Sequence, residues 1–418
     1  MIIQVINMKK HPLVSTLLTL TGNPRACVYT EPLWCIPHYL YMPFVSVYMS
    51  ALLLTDSQIG FVASVTMFFM AVFAFLSGAV TDKLGRKKTT FIFDILSWSI
   101  PCLIWAASQN FWWFMVAAAF NGMMQITSNS WMCLLVEDAE KSAMVRIFSI
   151  IHIIGQMAVV FAPISAVLVN RFSVVPVMRG LYLFSFLSMT IKFIILFKCC
   201  GETEVGKVRI KETADMSIIS ILSGYGKVFK RIFASPGMKL ALAISAVLNI
   251  TTMITANFFS LYTTGLLLIP EHFLAFYPIV RSLIIIAFLF FVQPQLNRFG
   301  FKRPMLTGVL LYITSHIVLL TAPVGNLLIP FAYICVEACA YSLVMPNRDS
   351  VVVLLIDPDE RARISSIMIV LTLCCSIPFG YMAGWLSDTD RRLPFALDIA
   401  LFIIVFIIIC ISGKLMEK

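Results

Sequence analysis

Charge is scarce in this sequence. Only 12% of its 418 residues are Asp, Glu, Lys or Arg, while 60% are hydrophobic. A water-soluble chain of this length needs far more polar surface to cover its core, so a soluble globular fold is excluded. Catalytic signatures are absent as well: there is no HExxH and no GxSxG. The eleven cysteines include no CxxC pair, and Cys102, Cys133, Cys335, Cys339, Cys374, Cys375 and Cys410 lie in apolar runs. They read as small packing residues, not as a disulfide framework or a redox centre, and neither metal nor cofactor is expected. After Lys9 and Lys10 the stretch LVSTLLTL is short and no small-x-small cleavage site follows. The N-terminus therefore reads as a short interfacial helix and not as a cleaved signal peptide.

Long apolar runs are abundant. Twelve of them fall at roughly 32–54, 58–80, 89–108, 111–135, 146–169, 177–198, 239–268, 272–295, 304–322, 326–353, 363–386 and 394–413. Each is long enough to cross a bilayer as a helix, and each is continuous and not alternating, which disfavours barrel strands. The expected fold is an all-α polytopic membrane protein with twelve transmembrane helices in two pseudo-symmetric six-helix bundles.

The net charge of +10 concerns topology, not nucleic acid. With the 83–88 loop assigned to the cytoplasm, 24 of the 31 Lys and Arg residues fall on that side, and the outer loops hold only Arg171, Arg179, Arg391 and Arg392. This positive-inside bias places both termini in the cytoplasm of a plasma (inner) membrane protein.

An internal repeat organises the chain. FVSVYMSALLL (44–54) returns as FFSLYTTGLLL (258–268), TDKLGRKK (81–88) as LNRFGFKR (296–303), and Pro163 as Pro378, at offsets of 214 or 215. LLVEDAEKSAMVRIFS (134–149) resembles LLIDPDERARISS (354–366). The division is a cytoplasmic segment 1–27, bundles 28–198 and 239–413, a linker 199–238 and a tail 414–418. In the linker, Ile218, Ile221, Leu222, Tyr225, Val228, Phe229 and Ile232 recur at helical spacing beside Lys227, Lys230 and Arg231, the pattern of an amphipathic helix on the inner membrane face. A partner-binding helix is the alternative. GETEVGK (201–207) fits the opening of a phosphate loop, but Val208 follows, no strand precedes, and Glu202 and Glu204 repel phosphate.

Two six-helix halves with GxxxDKxGRKK between spans two and three resemble the major facilitator superfamily of secondary transporters. Gly78, Asp82, Lys83, Gly85, Arg86, Lys87 and Lys88 match its loop motif. AVVFAPISA (158–166) resembles its span-five antiporter motif, with Ala158, Ala162 and Ala166 where glycines are usual. The Arg that proton-coupled members carry in span four is absent from FNGMMQITSN. The resemblance implies alternating access around a midplane site lined by spans one, four, seven and ten, with two, five, eight and eleven beside them. It also implies that Gly78 lets span two approach span eleven, that Asp82 faces the N-terminal end of span eleven while the cytoplasmic side is closed, and that Arg86 bridges to Asp94 or to Glu137–Asp138. The repeat copy has Asn297 and Phe301 where Asp82 and Arg86 stand, so its latch is weaker.

A charge at mid-bilayer costs roughly 2.5 to 3.5 kcal/mol on insertion scales, so each one needs a partner or water. Arg281 in span eight and Glu337 in span ten lie at similar depth: an ion pair or a solute-responsive switch. Glu337, Tyr341 and Arg348 share a helix face. In span one His38, Tyr41, Val45 and Tyr48 form a stripe whose repeat partners are Thr252, Thr255, Phe259 and Tyr262. Asn121, Gln125 and Asn129 in span four and Asn249 and Asn257 in span seven are amides that either bind a solute or tie helices together. His38 and Glu337 are rival proton carriers. Lys192, His316 and Asp398, on peripheral spans, read as structural or snorkelling, and Asp94 as a partner of the cationic loop. The reading is a monomeric, proton-coupled secondary active transporter of a small organic solute. A drug or amphiphile exporter, an uncoupled uniporter and a transporter-like sensor are the alternatives.

Overall fold

The computed structural model describes residues 12–140, 143–222, 225–292, 295, 302–355 and 361–411, and every regular element among them is helical. Ten helices among them are long and apolar enough to cross a membrane. In chain order these include span two (Asp56–Leu84), three (Arg86–Ala107), five (Arg146–Phe172), six (Val174–Cys199), seven (Pro236–Leu266), nine (Lys302–Leu320) and twelve (Leu393–Ile411). Span eight is Tyr277–Phe291, entered through a 3-10 turn at Glu271–Ala275, span ten is Leu328–Leu355 and span eleven Arg361–Thr389. Two further runs are interrupted. Span four divides into Phe111–Gly122 and Met124–Val136. Span one is built from Gly22–Thr30, Pro32–Tyr41, a 3-10 turn and Val45–Ala51.

Span one begins ten residues before the expected position 32. Glu31 joins its first two pieces with helical torsions (φ −57, ψ −38), so the carboxylate sits inside the span. Hydropathy could not place the start there, because Arg25 and Glu31 both depress it. Local signals set other boundaries. Span two starts at a capping box, in which the Gln58 amide N–H donates to Thr55 Oγ1 at 3.2 Å and the Thr55 N–H to Gln58 Oε1 at 3.1 Å. It stops at Gly85, whose φ of +84 suits only glycine.

The repeat is visible in single hydrogen bonds. Tyr48 Oη donates to Trp105 O at 2.7 Å, and Tyr262 Oη to Leu319 O at 2.9 Å, each across 57 residues. Both tie the first helix of a half to its third. Tyr48 and Tyr262 are fully buried, so each hydroxyl needs that carbonyl to offset its desolvation. Of the linker, Ile232 and Phe229 pack with Met238 and Leu242 of span seven and Ile364 and Met368 of span eleven; the helix lies on the bundle and not only along a membrane face. Side chains of Tyr225, Lys227 and Val228 lie outside the described residues, as do residues 296–301, which carry Asn297 and Phe301.

The halves meet most closely along spans two and eleven, at the end opposite the 83–88 loop. An added Cβ on Gly60 would stand 2.3 Å from Gly380 O, one on Gly380 2.4 Å from Ser64 Oγ, and one on Gly384 2.6 Å from Asp56 O. Only glycine permits these backbones to touch. Ser64 Oγ accepts from the Tyr381 N–H at 2.8 Å and donates to Ile377 O at 2.6 Å. It thus stands within the i→i−4 ladder of span eleven beside Pro378, a local opening of the helix with a named cause. At the tip, Asp388 accepts from the Asp56 and Ser57 backbone N–H groups at 2.9 and 3.0 Å and from the Ser57 hydroxyl. A carboxylate of span eleven thereby caps the N-terminus of span two, where unpaired N–H groups and the helix dipole favour an anion. Arg391 closes the junction by donating to Asp56 at 3.0 and 3.2 Å and to Leu261 O of span seven at 3.1 Å. Gly60→Val is expected to part this junction. Labelling of Val47→Cys, buried at the same end, by an impermeant maleimide should rise several-fold; unchanged labelling would show that the glycine contact does not seal it.

Candidate functional site

Residues of both halves line a cavity of about 350 Å³. Span one contributes Tyr39, Met42 and Pro43, span seven Thr251, Thr252, Thr255 and Phe259, span eight Tyr277 and Arg281, span nine Tyr312 and His316, and span ten Glu337 and Tyr341. Arg281 donates from Nε to Glu337 Oε2 at 2.8 Å and from Nη2 to Oε1 at 3.1 Å, and its guanidinium carbon lies 4.4 Å from the centre of the Tyr341 ring. The Arg281 side chain is 34% exposed and that of Glu337 only 9%, so an occupant of the cavity meets the arginine first. Both Glu337 oxygens are spent on the pair, whereas Nη1 remains as a guanidinium donor. The planar fork and the ring beneath it hold that donor in one orientation.

A second cavity, about 260 Å³, lies within the N-terminal half, lined by Glu31, Trp34, Asp94, Trp98, Thr127, Trp131 and Lys192 among others. Lys192 Nζ is 2.8 Å from Glu31 Oε2 and lies over the rings of Trp34 and Trp131 at 5.8 and 5.7 Å. Asp94 accepts from Thr127 Oγ1 at 2.6 Å. Among the described residues no three His, Cys, Asp or Glu side chains converge as metal ligands.

The profile of the Major Facilitator Superfamily matches residues 35–372, most of the chain. The chain belongs to the major facilitator superfamily. It is an integral multi-pass membrane protein of a family of transporters. Solved structures agree in fold. The nucleoside transporter NupG is 15% identical with a TM-score of 0.73, over 94% of this chain and 100% of that one. A POT family transporter in complex with 5-aminolevulinic acid is 12% identical with a TM-score of 0.72, over 94% and 97%. The human organic anion transporter MFSD10 (TETRAN) is 13% identical with a TM-score of 0.59, over 96% and 100%. No curated protein matches the sequence.

The loop motif of this superfamily member is a clamp on its own half. Arg86 donates to Glu137 Oε2 at 3.0 Å and to Asp82 Oδ1 at 3.0 Å; Asp94 takes no part. Glu202, from the rejected phosphate-loop look-alike, caps span three by accepting from the Arg86 and Lys87 N–H groups at 2.8 and 3.1 Å. A Cβ on Gly85 would come within 2.6 Å of that carboxylate. Lys83 donates to Met216 O of the linker at 2.7 Å, Lys87 lies 4.8 Å over the Phe197 ring and Lys88 is exposed. Gly78 is half-buried. The contact expected of Asp82 is with the N-terminal end of span eleven, where residues 356–360 and the side chains of 361–363 lie outside the described residues.

Of the expected site residues, Arg281, Glu337 and Tyr341 come together at the first cavity, joined by Thr252 and Thr255. Arg348 lies two turns beyond Tyr341, outside that lining. Span one presents Tyr39, Met42 and Pro43 instead of the His38 stripe. Tyr41 and Tyr48 are buried, packing on Tyr182, and His38 stacks on Trp34 at 4.7 Å with Nδ1 2.9 Å from Tyr41 Oη. Between Leu33 and Val45 span one is apolar or aromatic on every face, so helical spacing could not choose between them. Three of the amides tie helices, Asn121 to Ser97 O at 2.9 Å, Asn129 to Thr81 Oγ1 at 3.3 Å and Asn249 to Ser376 Oγ at 2.9 Å, whereas Asn257 donates to Met253 O of its own helix at 2.8 Å. Gln125 is half-buried and lines neither cavity. Tyr262 is in the core. Lys192 does not snorkel; it is paired at depth. Glu31 went unnoticed because span one was started after it.

Arg281→Lys keeps the charge but loses the fork and the ring contact. It should lower stability by about 1–3 kcal/mol, the scale for stranding a buried charged group. Its effect and that of Glu337→Gln should be non-additive in a double-mutant cycle of thermal melts, since one pair is broken in both.

Proposed function

We propose that the protein is a secondary active transporter that moves a small polar organic solute by alternating access, driven by a proton gradient. The observation that carries this reading is the Arg281–Glu337 pair standing in a cavity that spans of both halves line. The solute lies against Thr252, Thr255, Tyr39 and Tyr341 and offers an acceptor group to Arg281. The protein works as a monomer in the plasma membrane with the basic end and both termini in the cytoplasm, its halves 28–198 and 239–413 rocking about the linker 199–238. The closed end is then the outer one, and the conformation is that in which solute exchanges with the cytoplasm. When the halves rock, Asp388 releases the N-terminus of span two, and Asp82 turns to the start of span eleven. The two conformations thus exchange one carboxylate-capped helix end for another, and a ligand shifts their balance only by binding one better than the other.

A second reading, export of amphiphiles, is favoured by an apolar crevice of about 430 Å³ between Ile153, Met157 and Val160 of span five and Ile279, Leu283 and Ile286 of span eight. A thermal-shift screen of purified protein separates the two. Under the first reading a polar, acceptor-bearing metabolite raises the melting temperature, by an amount equivalent to about 2.7 kcal/mol at a concentration one hundred times its Kd, and Arg281→Gln abolishes the shift. Stabilisation by amphiphiles alone, indifferent to Arg281→Gln, would transfer the function to the crevice.

A further inference from the structure

The wall of the first cavity contains a histidine and a carboxylate that face each other with nothing between them. His316 of span nine and Asp398 of span twelve are 1% and 0% exposed. His316 Nδ1 is 2.8 Å from Tyr312 O. A carbonyl only accepts, so Nδ1 carries a hydrogen, and in the neutral ring Nε2 is left with a lone pair. Nε2 lies 3.3 Å from Asp398 Oδ2, yet among the described residues neither Nε2 nor either Asp398 oxygen has a hydrogen-bond partner. Two buried acceptors left this close without a protein partner is an arrangement that proteins avoid. One proton placed between them turns repulsion into a charge-assisted hydrogen bond.

We propose that His316 and Asp398 together bind one proton, and that this is the site at which the gradient acts on the transporter. The proton reaches the pair from the cavity side, since His316 lines the cavity and Asp398 does not, and leaves by the same route; no covalent skeleton changes. His38 lacks this geometry: Trp34, Trp98, Tyr39 and Tyr41 surround it, and its Nδ1 meets a hydroxyl. The groups facing the pair are Tyr312 and Ser315 on span nine and Tyr333 on span ten, with Glu337 one turn beyond Tyr333 and paired to Arg281 of span eight. Span seven offers the uncharged Thr255. Tyr333 links pair and solute. Its ring meets the imidazole edge-on at 5.3 Å, stacks on Phe259, and its hydroxyl lies 3.4 Å from Thr255 Oγ1. The driving role rests on the transport reading; the proton site itself does not.

The test therefore has two arms. In the first, infrared difference spectra of reconstituted protein are recorded across a pH titration without any solute. The parent protein should show a carboxyl band and ring modes of isotope-labelled histidine changing together, and both His316→Gln and Asp398→Asn should remove that coupled change. Its persistence in either variant overturns the proton site. Asp398→Glu, which should retain it, serves if Asp398→Asn does not fold. In the second arm, proteoliposomes are given the solute identified by thermal shift and an imposed pH gradient. Asp398→Asn, outside the cavity lining, should still bind that solute while gradient-driven accumulation falls at least tenfold. Undiminished accumulation overturns the driving role, and absence of solute movement by the parent protein overturns the transport reading while the infrared arm still decides the site.

Discussion

Contact between spans two and eleven is the constraint on which the remaining architecture depends. In a membrane the hydrophobic effect does not draw one helix to another, because lipid is as apolar as a leucine side chain; close packing and polar contacts must do it. Here three glycines bring two backbones together, and a serine hydroxyl enters the ladder of the neighbouring helix. Carboxylates finish the tip, one capping a helix and one held by an arginine that also reaches span seven. These polar and glycine contacts lie near one end of two long helices, and apolar packing of Ala71 and Ala74 against Val370 and Leu373 continues the interface along them.

The scarcity of charge gives the remaining charges meaning. Three charged or titratable pairs stand within the spans: Arg281 with Glu337, Lys192 with Glu31, and His316 beside Asp398. The first is bidentate and water-accessible on its arginine side, suited to meeting a solute. The second is walled by indole rings, and the third has no hydrogen-bond partner among the described residues. These differences come from hydrogen-bond inventory and exposure, not from residue type.

The loop of four cations at 83–88 combines a topological signal with a structural joint. Its arginine is satisfied by Asp82 and Glu137 and its helix start by Glu202, so spans two, three and four and the linker share one network. Among the described residues that network lies within spans two, three and four and the linker.

By itself the sequence determined the class of fold. Continuous apolar runs, loop charge and a 214-residue repeat are each enforced by the bilayer or by gene-level duplication of a bundle, and they survive as linear patterns. It also determined the depth match of Arg281 and Glu337, because depth is simply counted along a helix. Which face each helix turns inward was decided only by tertiary structure. Where all faces are apolar or aromatic, as between Leu33 and Val45 of span one, rotation is set by packing against neighbours, and so Tyr39 and not His38 reaches the cavity. Asn121, Asn129 and Asn249 of spans four and seven resolved into interhelical ties for the same reason. Partners such as Glu31 with Lys192, Asp56 with Arg391 and His316 with Asp398 lie 161, 335 and 82 residues apart in the chain, and no local pattern links them; only the folded bundle brings them within hydrogen-bonding range.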